Sequence, residues 1–285
     1  HILYSIQTGE KDSKLMLKDK QGNLIFHHDR SENGVFTYDS KFALFKIKAW
    51  KDSITEMKRR KVKKDKMPLD SLGIFNIDKL TLQKISNIKS YKIPDKWSGF
   101  IAYTYEILSG KKEKKNQDSE VSVKNKSSKK LKKPSSKNGY PLVIRNLDSS
   151  VEDTIPYVTN YTFSKKSESL AYTTTGTKDS IQAGVYVKNL KSNTIKHVYS
   201  SHENAKYYKL SLSDSGKNLA FVVDADSTKS YNRPYELYSW NFKNDKAKLI
   251  VNKSNSPEGY RVSSDESLKF SGDATNLYFG LALPV

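Results

Sequence analysis

A two-part phrase repeats along this chain in a fixed order, and that order narrows the folds open to it. The first part is an alternating strand start, a polar turn, then Leu-Ala-aromatic. It stands at 161–172 (YTFSKKSESLAY), 210–221 (LSLSDSGKNLAF) and 268–279 (LKFSGDATNLYF), with looser copies at 36–45 and 91–103. The second part is a hairpin pattern, with period-two apolar alternation around Asn, Asp, Ser or Gly. It stands at 15–26, 73–85, 142–155, 184–198 and 235–250. Two hairpins per unit give four antiparallel strands, which is one propeller blade. The anchors Phe36, Tyr91, Tyr161, Leu210 and Leu268 are 55, 70, 49 and 58 residues apart. Without two basic insertions, the first two spacings fall near a blade period of roughly 40 residues. The expected fold is all-β, a partial β-propeller of about five four-stranded antiparallel blades, spanning 1–285 as one region. A sandwich also supplies short strands, but does not require this order five times over.

Both ends read as cut within a blade. HILYSIQTGE resembles the end of an earlier Leu-Ala-Tyr strand, and LYFGLALPV stops after a strand that expects a partner. Because open sheet edges are a liability that closed rings remove, further chain is expected on each side.

The formal charge of +19 raises the question of nucleic acid, and its distribution argues against it. Residues 56–66 carry a net +5 and residues 109–139 a net +8, together +13 of the total. The charge belongs to two insertions rather than to one continuous face, so nucleic acid is not an expected partner. Segment 51–66 lacks Gly and Pro and is compatible with a short basic helix, though a solvated stretch between strands is the plainer role. Segment 109–139 is Lys/Ser-rich, offers little apolar surface to offset its ordering entropy, and is expected to be disordered. The apolar runs are too short to span a bilayer as helices.

Recognisable chemistry is sparse. There are no cysteines. No G-x-S-x-G elbow, P-loop, Rossmann fingerprint, H-E-x-x-H or EF-hand loop is present. The histidines are His1, His27, His28, His197 and His202. His27 and His28 are adjacent, so on a strand they point to opposite faces and cannot share one ion. Asp214 and Asp273 sit in the repeated turns. Asp224 and Asp226 follow a strand and could reach a pore or rim, with a turn-forming role the simpler reading. Trp50, Trp97 and Trp240 fall at different points of the repeat and read as core. The Asn-x-Ser/Thr matches at Asn125, Asn160 and Asn252 carry no weight. No catalytic, cofactor-binding or metal residue is assigned, and no cofactor is expected.

The run KDKMPLDSLGIFNIDKLTLQKISNIKSYKIPDKWSGFIAYTYE (64–106) resembles the propeller of bacterial prolyl oligopeptidase-family serine peptidases, in the form usual in the Bacteroidetes. Residues 139–190, the Lys-rich insertion before them and 263–285 are similar to further stretches of those propellers. The resemblance implies a propeller capping a C-terminal α/β-hydrolase domain that carries Ser, Asp and His, with the propeller restricting peptide access. That hydrolase domain would be the chief partner and peptides the substrates. No such domain is expected within residues 1–285, so no family catalytic residue is carried over to them. The acidic motif with which dipeptidyl-peptidase relatives hold a substrate amino terminus is not recognisable here. The resemblance also implies export to the periplasm. The alternative is a free-standing propeller that binds a protein or glycan.

Overall fold

A computed structural model of the chain describes residues 1–7, 9–105, 132–177, 180–202, 205–226, 228 and 230–283. Its strands form successive antiparallel sheets that follow one another in sequence. Blade 1 has three strands, β1 (Ile2–Ile6), β2 (Lys14–Lys18) and β3 (Leu24–Asp29). Blade 2 has four, β4 (Ser31–Phe36), β5 (Phe42–Ile47), β6 (Ser71–Asn76) and β7 (Thr81–Ile85), and helix α1 (Lys51–Arg59) lies between β5 and β6. Blade 3 comprises β8 (Ile88–Lys92), β9 (Phe100–Tyr105), β10 (Tyr140–Asn146) and the first half of β11 (Glu152–Phe163). The second half of β11 opens blade 4, followed by β12 (Ser169–Thr174), β13 (Gly184–Asn189) and β14 (Thr194–Tyr199). Blade 5 is β15 (Lys206–Leu212), β16 (Asn218–Asp224), β17 (Glu236–Asn241) and β18 (Lys248–Val251). Blade 6 is one interrupted hairpin, in which β19 (Arg261–Val262) pairs with β22 (Leu281–Ala282) and β20 (Lys269–Phe270) with β21 (Leu277–Tyr278). The fold is a partial β-propeller, and every copy of both repeated phrases forms the hairpin expected of it.

Each of blades 2 to 5 buries both faces, which explains the near-continuous apolar second strands. In β5, Ala43 and Phe45 pack toward Leu15 and Leu17 of blade 1, whereas Phe42 and Leu44 pack toward Ile101 and Tyr103 of blade 3. In β12, Leu170 and Tyr172 face blade 3 and Ala171 faces Phe221 and Val223 of blade 5. Ala220 and Val222 of β16 continue the pattern toward Val262 and Leu268 of blade 6. Among the described residues, five apolar clusters therefore fill the seams between six successive blades, of which blades 3 and 4 are joined through β11 into one seven-stranded sheet. Each fully buried Leu or Phe contributes about 2 kcal/mol, so the seams between blades hold the structure together.

The turn between first and second strands recurs at backbone level. Thr37 N–H donates to Phe42 O at 3.0 Å, Ser213 to Asn218 at 2.8 Å and Ser271 to Asn276 at 2.9 Å. Each turn places a residue in the left-handed region, namely Ser40, Gly216 and Ala274. The Thr37 and Ser271 hydroxyls donate to Asp39 and Asp273 two residues on, the local bond that makes these residue types turn-formers.

Helix α1 carries Asp52 in its first turn and Lys58 and Arg59 in its last, matching the helix dipole. Asp12 Oδ1 accepts from Lys51 N–H at 3.1 Å and satisfies one of the free donors at its start. A 3-10 turn, Lys64–Lys66, follows. Of the second insertion, 132–139 forms a tight turn with Ser135 paired to Gly139. The expectation of disorder for 109–131 falls outside the described residues.

Candidate functional site

The strand order fixes where a functional surface can lie. Successive blades present their first strands, β4, β8, β11, β15 and the β19–β20 pair, to the side on which the blades converge. On β4, β8, β11 and β15 the register slips, between Glu32 and Val35, Ile88 and Ser90, Val158 and Asn160, and Tyr208 and Ser211. Asn33, Asn87, Tyr157 and Lys209 take positive φ in or beside these bulges. Such conformations cost roughly 1 kcal/mol each for non-glycine residues. Bulges bend and twist a strand, which suits an inner edge that must not pair with its neighbour.

The inner edges are also covered by side chains from neighbouring blades. Lys92 Nζ, from β8, donates to Tyr161 O on β11 at 2.7 Å, and Lys209 Nζ, from β15, donates to Asp265 O at 2.8 Å. The Tyr91 hydroxyl lies 3.4 Å from Asn33 O on β4. Beside Lys92, Ser90 Oγ lies 2.8 Å from Thr104 Oγ1 and 3.1 Å from the Tyr161 hydroxyl. Burial pushes the Tyr161 hydroxyl up to about 12, with the Ser90 contact opposing it. Loss of hydration lowers the Lys92 ammonium below its ordinary value. Lys92 is open to solvent by area, yet it sits in a concavity with protein on most sides.

A cavity of about 480 Å³ opens where β8, β11, β15 and β20 end. It touches the first strands of four successive blades, which places it on the axis at the face carrying the repeated tight turns. Its charged lining is Lys92, Asp95, Lys165, Asp214 and Lys269. Asp95 pairs with Lys165 at 3.7 Å, and Asp214 with Lys166 at 3.1 Å. A second concavity, about 1430 Å³, lies between α1 and blade 1 at the opposite face. There Lys48 Nζ bridges Glu32 at 3.3 Å and Asp70 at 2.7 Å. Loss of hydration pulls this ammonium down, but the two carboxylates outweigh it and its pKa is raised.

Residues singled out in the sequence scatter rather than converge. His27 is exposed on β3, while His28 packs beside Phe45 and places Nδ1 2.8 Å from Ser31 Oγ. Ser31 is fully buried, and the same Nδ1 lies 2.7 Å from the Asp29 main-chain carbonyl, so this pair is no activated nucleophile. His197 stacks on Tyr186, which stacks on Tyr172, and donates from Nε2 to Tyr199 O at 3.0 Å. His202 Nε2 lies 2.6 Å from Ala225 O. Asp273 forms its turn as expected, and Asp226 does likewise by accepting from Thr228. Asp224 does more than form a turn. It ends β16 almost wholly buried and receives Arg233 Nε at 3.0 Å and Nη2 at 2.8 Å. Trp240 is core and Trp97 packs edge-on against Phe163, but Trp50 is half exposed under Arg30 at 4.5 Å. Asn125 lies outside the described residues. The lysines that close the inner edges were not marked by any local pattern, because their acceptors lie 69 and 56 residues away.

No family model matches the chain, and no curated protein does. Among solved structures, the β-propeller domain of the Trilobed protease from Pyrococcus furiosus is similar at 11% identity and a TM-score of 0.44, over 88% of this chain and 63% of that one. An acylaminoacyl peptidase from Pyrococcus horikoshii is similar at 9% identity and a TM-score of 0.44, over 95% of this chain and 38% of that one. The oligogalacturonate lyase of Vibrio parahaemolyticus is similar at 9% identity and a TM-score of 0.43, over 93% and 63%. The chain spans less than two thirds of the length of each.

Proposed function

We propose that this chain is the non-catalytic propeller portion of a prolyl oligopeptidase-like serine peptidase, and that it gates peptide access to a hydrolase domain lying outside residues 1–285. The observation that carries the reading is the axial cavity, lined by the first strands of four blades whose inner edges are tied by Lys92 and Lys209 to the next blade. A rim tied in this way resists widening, and a rim of fixed width discriminates by size. Small or extended peptides pass, and folded chains do not. The resemblance of 64–106 and 139–190 to propellers of that family supports the same reading. The hydrolase would supply nucleophile, base and oxyanion hole, which acyl transfer needs held together. Export to the periplasm belongs to the same proposal.

Narrowing the channel tests the gate. Ser211→Trp in the gene's full product should lower turnover of long peptides at least tenfold while sparing dipeptide esters. Equal loss on both substrates, or on neither, contradicts gating through this cavity.

A second reading, a free-standing propeller that binds a protein or glycan, is favoured by the groove of about 1430 Å³ beside α1, with half-exposed Trp50 on its wall. Aromatic faces of this kind suit apolar or sugar contacts. The groove lies at the face opposite the axial cavity, so Trp50→Ala separates the two: it should weaken such a partner and leave passage of peptides unchanged.

A further inference from the structure

We infer that the turn-face mouth of the axial cavity is a carboxylate-binding site, selecting peptides that present a C-terminal carboxylate or an Asp or Glu side chain. The inference rests on the peptide-gating reading for its class of ligand and deepens it. Both lining acids are already neutralised, Asp95 by Lys165 and Asp214 by Lys166. Among the described residues, that leaves two lining ammonium groups with no carboxylate partner, Lys92 on the first strand of blade 3 and Lys269 on the first strand of blade 6. Lys92 spends one donor on the neutral Tyr161 carbonyl, and an ammonium has three. Lys269 is exposed on β20 and makes no ion pair among the described residues. The two stand on either side of blades 4 and 5 and face one concavity. With both acids paired, the lining keeps a net positive charge, and a concave site walled by protein focuses that field on an entering anion. The hydroxyl-bearing Thr162 and Ser211 line the same mouth and can accept or donate to the peptide bonds behind a carboxylate. The lowered pKa of Lys92 agrees, since an incoming anion would favour the charged form that lost hydration disfavours.

The test is fluorescence-anisotropy binding of labelled peptides to the 285-residue chain, which needs no hydrolase domain. Four peptides of equal length separate the sources: neutral with a free C-terminus, acidic with an amidated C-terminus, neutral and amidated, and lysine-rich and amidated. One or both of the first two should bind, more weakly as salt rises, and the last two should not. Lys92→Gln with Lys269→Gln should weaken that binding about tenfold or more. Lys63→Gln with Lys64→Gln, on the other basic segment, should leave it unchanged. Lys269→Glu should shift preference toward the lysine-rich peptide. The exposed positions of Lys92 and Lys269 let circular dichroism verify folding. Acidic binding that survives the double variant, or falls instead with Lys63 and Lys64, overturns the site. Binding that persists in a chain later found to serve no peptidase overturns only the gating reading.

Discussion

Lys92 Nζ reaches the main-chain carbonyl of Tyr161 at 2.7 Å, joining the inner strand of blade 3 to the inner strand of blade 4 across a seam with no ladder between these two strands. An unpaired inner strand displays carbonyls that invite pairing with another chain. A long side chain from the neighbouring blade satisfies one of them without closing the channel. Lys92→Met should therefore lower stability by about 1 kcal/mol, after allowing for the solvent exposure of the bond. Urea unfolding measures this, and Lys92→Arg, which keeps a donor, should recover part of the loss.

Asp224 and Arg233 form the most deeply buried ion pair of blade 5, with the Asp224 side chain 2% exposed. Arg233 Nη2 also donates to Asp226 O at 2.7 Å, so the pair pins the loop between β16 and β17. Asp224→Ala should lower stability, by less than the loss of a fully buried partner would, because Arg233 keeps the Asp226 carboxylate 3.4 Å away. Adding Arg233→Met should recover part of that cost. Thermal melts of the two single variants and the double variant measure the coupling.

Gly73 lies on β6 against the ring of Phe45, and a Cβ there would meet the ring at 2.4 Å. The ring is fully buried between blades 1 and 2 and has no room to move aside. Gly73→Ala should destabilise by about 1–3 kcal/mol through overpacking. Phe45→Leu placed with it should offset some of the strain, as urea midpoints would show.

Alkaline stability should fall steeply from pH 10 upward. The Tyr161 hydroxyl stays protonated in the fold to about 12, against 10.0 for a free phenol, because burial disfavours the anion. Burial pushes Tyr172 up as well. Between those values the unfolded chain releases protons that the folded chain retains. The unfolded state then binds fewer protons, so unfolding free energy declines as pH rises, and the contribution is intact below pH 10. Tyrosinate absorbance should rise together with loss of β-sheet circular dichroism, and Tyr161→Phe should reduce the slope.

The hairpins were legible because their signals are local. Asp273 and Ser271, or Asn146 and the Asp148 N–H it accepts from, lie within a few residues and act through one turn. The buried second strands were legible for the same reason, since Leu-Ala-aromatic at 170–172 meets a blade on each side. What joins the blades was less legible. β11 runs unbroken for 12 residues from the outer strand of blade 3 to the inner strand of blade 4, although Pro156 within it is a residue that usually interrupts a ladder. The sequence reading assigned its two ends to separate phrases. The axial site was hidden because its lysines come from different blades and are brought together only by ring geometry. Asp224 read as a turn residue because its partner, Arg233, lies beyond the local turn.

Activity-based labelling tests the central claim most directly. The 285-residue chain and the complete product of its gene are each treated with a serine-reactive fluorophosphonate, and the labelled residue is mapped by mass spectrometry. Labelling of a single G-x-S-x-G serine outside residues 1–285, with the isolated chain unlabelled, is the predicted result. A specific label on a serine within 1–285, or a complete gene product that ends near Val285 and takes no label, contradicts the account.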